Sequence, residues 1–213
     1  MTRHRTTPLL LFLACVALGA VLLGGCGGGG DSATAHPPAA SVGGTYAGGE
    51  ATPPKAAPAL KLKNYLGEPV DLAEYEGKAV LVTFIYTHCP DVCPLIVSHL
   101  KTAQAELGPK AKGMQIVAVS TDPEGDDPHT VAKFLAEHGM TGKMQYLIGS
   151  PAELRRVWTD WSIVAKREKT GRDLVEHSAL VYGIAADGKI TTLYPANFDP
   201  SQIVHDVPLL EQR

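Results

Sequence analysis

Apolar and polar positions fall into distinct regimes along the chain. Leu9 to Leu23 is an almost unbroken apolar run behind Arg3 and Arg5, the layout of an export signal, and it closes on Leu23-Gly24-Gly25-Cys26. Residues 27 to about 58 hold Gly, Ala, Pro, Ser and Thr with almost no large apolar side chain. Such a stretch buries too little surface to offset its ordering entropy, so it reads as a flexible tether. Its reach is about 30 Å for roughly 30 residues.

From Leu60 onward the periodicity alternates between strand and helix. Ala79 to Tyr86 is a nearly continuous β-branched and aromatic run, expected of a strand covered on both faces. Ile96, Leu100, Ala103 and Leu107 form a helical stripe that stops at Gly108-Pro109. Met114 to Ser120 is a second buried strand, giving a βαβ unit with parallel pairing. Asp127-Pro128 opens a helix that runs to His138-Gly139, and Ser150-Pro151-Ala152-Glu153 is a capping box that opens another. Ser178 to Ile184 and Lys189 to Tyr194 flank the turn Ala185-Ala186-Asp187-Gly188 as a hairpin, and a helix around Ser201 to Leu210 closes the chain. The predicted fold class is therefore α/β: a central mixed sheet with a parallel βαβ half, a C-terminal β-hairpin and flanking helices, which is the thioredoxin-like plan.

Composition changes this picture by position. Half of the 22 glycines lie in the first 49 residues, so the average over 213 residues describes neither the tether nor the domain. The predicted organisation is a signal peptide at 1–25, a linker at 26–57 and one domain at 58–213. Discounting Arg3 and Arg5 from the 19 Lys+Arg leaves 17 against 22 Asp+Glu. That sign argues against nucleic acid as a partner. Over the full chain, 19% charged and 45% apolar residues fit an ordinary globular protein, and the domain is expected to be monomeric.

The four cysteines also divide by position. Cys15 lies in the apolar core of the signal. Cys26 follows Leu-Gly-Gly in the manner of a bacterial lipobox, which resembles the site where lipoproteins are cut and acylated. Multiple acyl chains give a stable anchor, so the expected location is the extracytoplasmic face of a bacterial membrane, where Cys89 and Cys93 meet an oxidising compartment.

Cys89-Pro90-Asp91-Val92-Cys93 falls where the first buried strand ends and its helix begins, the place where ligand sites gather in open α/β sheets. The helix N-terminus there is expected to lower the thiol pKa values. Helical i,i+4 spacing separates Cβ atoms by about 5–6 Å, against about 3.8 Å for a disulfide. A metal is easier to fit, because two metal–sulfur bonds of about 2.3 Å hold the sulfurs farther apart. Soft thiolates select Cu(I), and an added imidazole makes Cu(II) tolerable.

Seven histidines follow the signal. His36 lies in the tether, His88 beside Cys89, His99 on a helix flank, His129 and His138 at helix ends, and His205 in the last helix. Each of these reads more simply as a surface or capping residue than as a ligand. His177 stands before the Ser178 strand, in a loop that this fold brings opposite the cysteine turn. By position alone it is open whether His177 is a ligand or a packed histidine.

At this point Phe84-Ile85-Tyr86-Thr87-His88-Cys89-Pro90-Asp91-Val92-Cys93-Pro94 resembles the signature of the Sco/SenC family of copper-binding, thioredoxin-fold proteins. Val119-Ser120-Thr121-Asp122-Pro123-Glu124 and Glu176-His177-Ser178 through Ala186-Asp187-Gly188 are similar to that family's later segments, in order. The resemblance implies that Cys89, Cys93 and His177 bind one copper ion. It further implies assembly of the Cu(A) centre of cytochrome c oxidase, with the Cu(A)-bearing subunit or another copper chaperone as partner. Glu176 stands where many relatives carry Asp, and can still orient the imidazole.

The rival reading is a thiol-disulfide reductase or peroxidase cycling Cys89 and Cys93. The three-residue spacing and the lack of a proline before Ser178 count against it. A second rival is a scaffold whose cysteines form an inert disulfide. Asp122 to Asp127 lacks the spacing of a Ca²⁺ loop and reads as a capped loop before a helix. Trp158 and Trp161 read as core or edge aromatics. Lys166, Arg167, Lys169 and Arg172 read equally as a solvated loop or as a patch for an acidic partner.

Overall fold

Hydrophobic alternation along one strand organises the domain. The computed structural model describes residues 45–167, 175–177 and 179–213. These residues lie within one compact unit, Ala39–Arg213. Strand β4 (Ala79–Ile85) is buried along its whole length. Its Leu81 and Ile85 join one apolar cluster, and Val80, Val82 and Phe84 the other. This is the two-sided covering that a continuous apolar strand predicts.

Ten strands and four α-helices are described. After β1 (Gly49–Ala56), β2 (Lys61–Asn64) and β3 (Pro69–Asp71) come β4, α1 (Val92–Leu107), β5 (Met114–Ser120), α2 (Pro128–Glu137), β6 (Gln145–Ile148) and α3 (Pro151–Asp160). They are followed by β7 (Ala165–Arg167), β8 (Val175–His177), β9 (Leu180–Ile184), β10 (Lys189–Pro195) and α4 (Pro200–Glu211). Eight strands form a mixed sheet in the order β1-β10-β9-β4-β5-β6-β2-β3, and β7 and β8 form a separate hairpin. β4 pairs parallel with β5, and β5 with β6, while the other pairings are antiparallel. The fold is thioredoxin-like, with the parallel half and the C-terminal hairpin in their expected places.

Helix starts follow their caps. Asp127, Ser150 and Asp199 each accept from the first-turn backbone of α2, α3 and α4, in reciprocal capping boxes. The stripe of α1 faces one apolar cluster through Ile96, Leu100, Ala103 and Leu107, and Cys93 continues that buried face at the helix start.

Three differences from the sequence reading matter. Residues 49–56, assigned to the tether, form β1 on the sheet edge, antiparallel to β10. No residue of β1 is buried, so the strand has no hydrophobic signature. His177 ends a short strand instead of lying in a loop, paired with Ala165 across the β7–β8 hairpin. Finally, β6 completes the parallel set from only four residues, Gln145–Ile148. Residues 1–44, with Cys15, Cys26 and His36, lie outside the described residues, as do Lys169, Arg172 and Ser178.

Candidate functional site

The site is built at the carboxyl end of β4. After buried Tyr86, the chain turns through Thr87 and exposed His88 to Cys89, and α1 begins at Val92. The Cys89 N–H donates to the Tyr86 carbonyl at 3.4 Å, closing the turn. Asp91 occupies the N-cap of α1 but makes no side-chain capping bond. The Cys93 N–H instead donates to Cys89 Sγ at 3.3 Å, so sulfur fills the acceptor role that an oxygen usually takes at a helix start.

No disulfide joins the two cysteines, and Cys89 is 7% exposed while Cys93 is fully buried. The two side chains share a hydrogen bond. Burial pushes the Cys93 thiol well above its ordinary range, reinforced by the bond to Cys89 and its charge, and outweighs a backbone N–H from Tyr86. This reverses the expectation of an activated thiol for Cys93, because desolvation at full burial exceeds what one helix end supplies. An ion that binds there must displace a proton.

A buried carboxylate holds the turn from behind. Asp126 Oδ1 accepts from the Thr87 N–H at 2.9 Å and the Thr87 hydroxyl at 2.7 Å. Its Oδ2 accepts from Ser120 Oγ at 2.6 Å and Tyr146 OH at 2.9 Å. Loop 121–127 thus joins the ends of β5 and β6 to the residue two positions before Cys89. Asp127 caps α2 as expected of a capped loop. Nothing in the sequence distinguishes the buried Asp122 and Asp126 from their exposed neighbours Glu124 and Asp127.

The Thr83 hydroxyl donates to the Leu180 carbonyl at 3.0 Å, which ties the start of β9 to the same end of β4. The His177 backbone lies three residues before Leu180, and so within about 10 Å of it by chain length. The His177 and Glu176 side chains, like those of Lys166 and Arg167, lie outside the described residues. Among the described residues no group of three His, Cys, Asp or Glu side chains gathers around one point. Of the other described histidines, His88 is exposed beside Cys89, His129 and His205 are exposed, His138 lies tilted against Phe134 at 4.4 Å, and His99 packs edge-on against Phe198 at 5.2 Å. Trp161 is buried against Phe84, and Trp158 donates to the Ser120 carbonyl at 3.0 Å.

Two adjacent soft sulfurs with little exposure suit a thiophilic ion such as Cu(I). The same pair suits a dithiol–disulfide couple.

Comparison with known proteins gives consistent findings. The sequence profile of SCO1/SenC matches residues 49–210. The mitochondrial SCO2 homolog of Mus musculus is 28% identical over 157 residues, which cover 70% of this chain and 59% of the mouse protein's length. The structure of Bradyrhizobium japonicum ScoI with copper bound is similar at a TM-score of 0.63 and 29% identity, over 73% of this chain and 99% of that one. A further solved structure is BsSco, a member of the Sco family of cytochrome c oxidase assembly proteins in which a disulfide switch was identified. It is similar at a TM-score of 0.62 and 26% identity, over 75% of this chain and 95% of BsSco.

Proposed function

The chain belongs to the SCO1/SenC family, and on that premise we propose that it is a membrane-anchored, extracytoplasmic copper chaperone. It carries one copper ion on Cys89, Cys93 and His177 and passes it on by ligand exchange during assembly of the Cu(A) centre of cytochrome c oxidase. The observation that carries this reading is the buried, unbridged pair of cysteines in one turn, with the Cys89 sulfur accepting the Cys93 N–H. The copper-bound relative supports the cargo, and the relative described as a cytochrome c oxidase assembly protein supports the destination.

In this reading residues 1–25 are a signal peptide and acylated Cys26 is the anchor. The tether shortens to about the stretch before residue 45, because Tyr46 is already packed in the domain. The domain acts as a monomer. Its partner is the Cu(A)-bearing subunit or another copper chaperone. Copper is cargo here, so no turnover is required. Loading releases the Cys93 proton, and release of copper to a partner thiolate allows that proton to return. Cu(I) suits the thiolate pair, and the His177 imidazole extends the site to Cu(II).

A second reading rests on the same geometry. The two cysteines are hydrogen-bonded to each other within one turn, and a relative is named for a disulfide switch. Closing a disulfide releases two electrons and two protons to an oxidant, so the chain would act as a thiol-disulfide reductase or peroxidase.

Anaerobic Cu(I) titration of the reduced full chain separates the two. One-to-one binding, lost in His177→Ala and in the double Cys→Ser variant, is the expected result. Turnover of insulin disulfides or peroxide that survives His177→Ala, with no copper retained by the wild type, would overturn the chaperone reading.

A further inference from the structure

The buried carboxylate behind the cysteine turn touches neither sulfur through any described hydrogen bond, yet it is tied to the backbone that carries them. Asp126 is 5% exposed. Among the described residues its charge is met by three hydroxyls and one amide N–H rather than by a cation. Two of those donors belong to Thr87, and they converge on a single carboxylate oxygen. The other two come from Ser120 at the end of β5 and Tyr146 in β6, both fixed in the parallel part of the sheet. Tyr146 OH also lies 3.4 Å from the Ile85 carbonyl, the last residue of β4. The Cys89 turn therefore hangs from two anchors: the end of β4, through Tyr86, and the neighbouring strands β5 and β6, through Asp126.

We propose that Asp126 is the positioning residue of the cysteine turn, clamping Thr87 to β5 and β6 so that Cys89 and Cys93 are held at the separation that retains copper. The proposal deepens the chaperone reading and rests on it. Its physical basis is that a short loop fixed at one end samples more geometries than one fixed at both. A metal site loosened behind its ligands loses affinity, typically by 10-fold or more.

Three variants separate positioning from general stabilisation. Asp126→Ala removes both Thr87 contacts. Asp126→Asn keeps them, because the amide oxygen accepts from Thr87 while its NH₂ donates to the Ser120 and Tyr146 hydroxyls, which can reverse their roles. Asp206→Ala is the control, since it empties an equally buried carboxylate site on α4.

Two measurements on the reduced full chain serve as readouts: the rate of Cu(I) transfer to a chelator, and the rate at which the metal-free thiols react with Ellman's reagent. The expected result is about tenfold faster release in Asp126→Ala, a several-fold gain in thiol reactivity, and values near wild type for Asp126→Asn and Asp206→Ala. Should Asp126→Ala fail to fold, Thr87→Val carries the test, with faster release and faster thiol reaction expected again. The inference is overturned if Asp126→Ala, or Thr87→Val in its place, matches wild type, or if Asp206→Ala speeds both rates as much. A wild type that retains no copper overturns the chaperone reading instead, and this inference with it. The thiol reaction tells the two failures apart, since it needs no metal.

Discussion

Two buried aspartates at different places in the domain use the same chemistry for different ends. Asp126 gathers Thr87, Ser120 and Tyr146 beneath the cysteine turn. Asp206, on α4, accepts from the Ala47 N–H at 2.7 Å, the Gly48 N–H at 2.8 Å and Tyr194 OH at 2.8 Å, with His205 Nδ1 2.7 Å away. Each carboxylate takes two bonds from one short stretch of chain and one from a buried tyrosine. Burial, and then the neighbouring carboxylate, hold both tyrosines far above the ordinary phenol pKa, so each stays a donor. In one case the captured segment carries the candidate ligands. In the other it is the chain's entry into the sheet. A buried carboxylate with several donors works here as a knot, and what it does for the protein depends on which loop it ties.

The comparison breaks most readily at Asp206. Strand β1 has no buried residue, so it rests on its ladder with β10, on the Asp206 knot just before it, and on the Gln202 amide that donates to the Ala47 carbonyl at 2.6 Å. Asp206→Ala leaves two backbone N–H groups and the Tyr194 hydroxyl without their acceptor, at about 1–3 kcal/mol for each buried donor. A total of about 3 kcal/mol is expected, since water reaches the partly buried Ala47. Hydrogen exchange should show protection lost along β1 and its β10 partners while the cysteine turn keeps its protection. Exchange that rises equally at both places would mean that the two knots are one cooperative unit.

The same contrast explains what the sequence made legible. The helix starts at Asp127 and Ser150, the α1 stripe and strands β4 and β5 follow from periodicity and capping chemistry, which are local. The cysteine turn is legible because its residues are contiguous. β1 is not, because it contributes no apolar face and its stretch looks like tether. Gly48 shows why glycine misleads there: a Cβ on it would fall 2.4 Å from the Tyr194 ring, so this glycine packs closely instead of adding flexibility. Asp126 is hidden for a related reason. Its role depends on donors 39, 6 and 20 residues away in sequence, whereas periodicity reports only on neighbours. The direction of the Cys93 shift is misjudged for the same cause, since a helix end is visible locally and full burial is not.

A second prediction sharpens the comparison through pH. Burial raises the Asp126 pKa above its ordinary 3.8, even though four hydrogen bonds pull it down. The folded state therefore holds a proton that the unfolded chain releases over the window from about 3.8 up to the raised value. Stability from this group is full below that window and is lost as pH rises through it. Asp126→Asn has no such titration. Thermal melts of the two proteins from acid to neutral pH should show wild type losing ground to Asp126→Asn as pH rises. Exposed carboxylates such as Asp127 and Asp199, whose pKa values are lowered by hydrogen bonds to their own helix starts, cancel between the two proteins. A difference independent of pH would mean that Asp126 stays ionised throughout, with its donors outweighing its burial.

The smallest expected effect lies at a contact that only one of the two knots has. Asp206 has an imidazole beside it, and the described partners of Asp126 include none. The His205 side chain is 55% exposed while Asp206 is fully buried, so the contact sits at the rim, screened by water on one side. Pairs of this kind contribute little, about 0.5 kcal/mol or less. The Ala47, Gly48 and Tyr194 donors already occupy the carboxylate without it. His205→Ala should therefore leave the melting temperature almost unchanged and β1 protected from exchange, in contrast with Asp206→Ala. If His205→Ala instead frees β1 to the same extent, the knot depends on its rim imidazole and not on the backbone donors, and the likeness between the two carboxylates ends there.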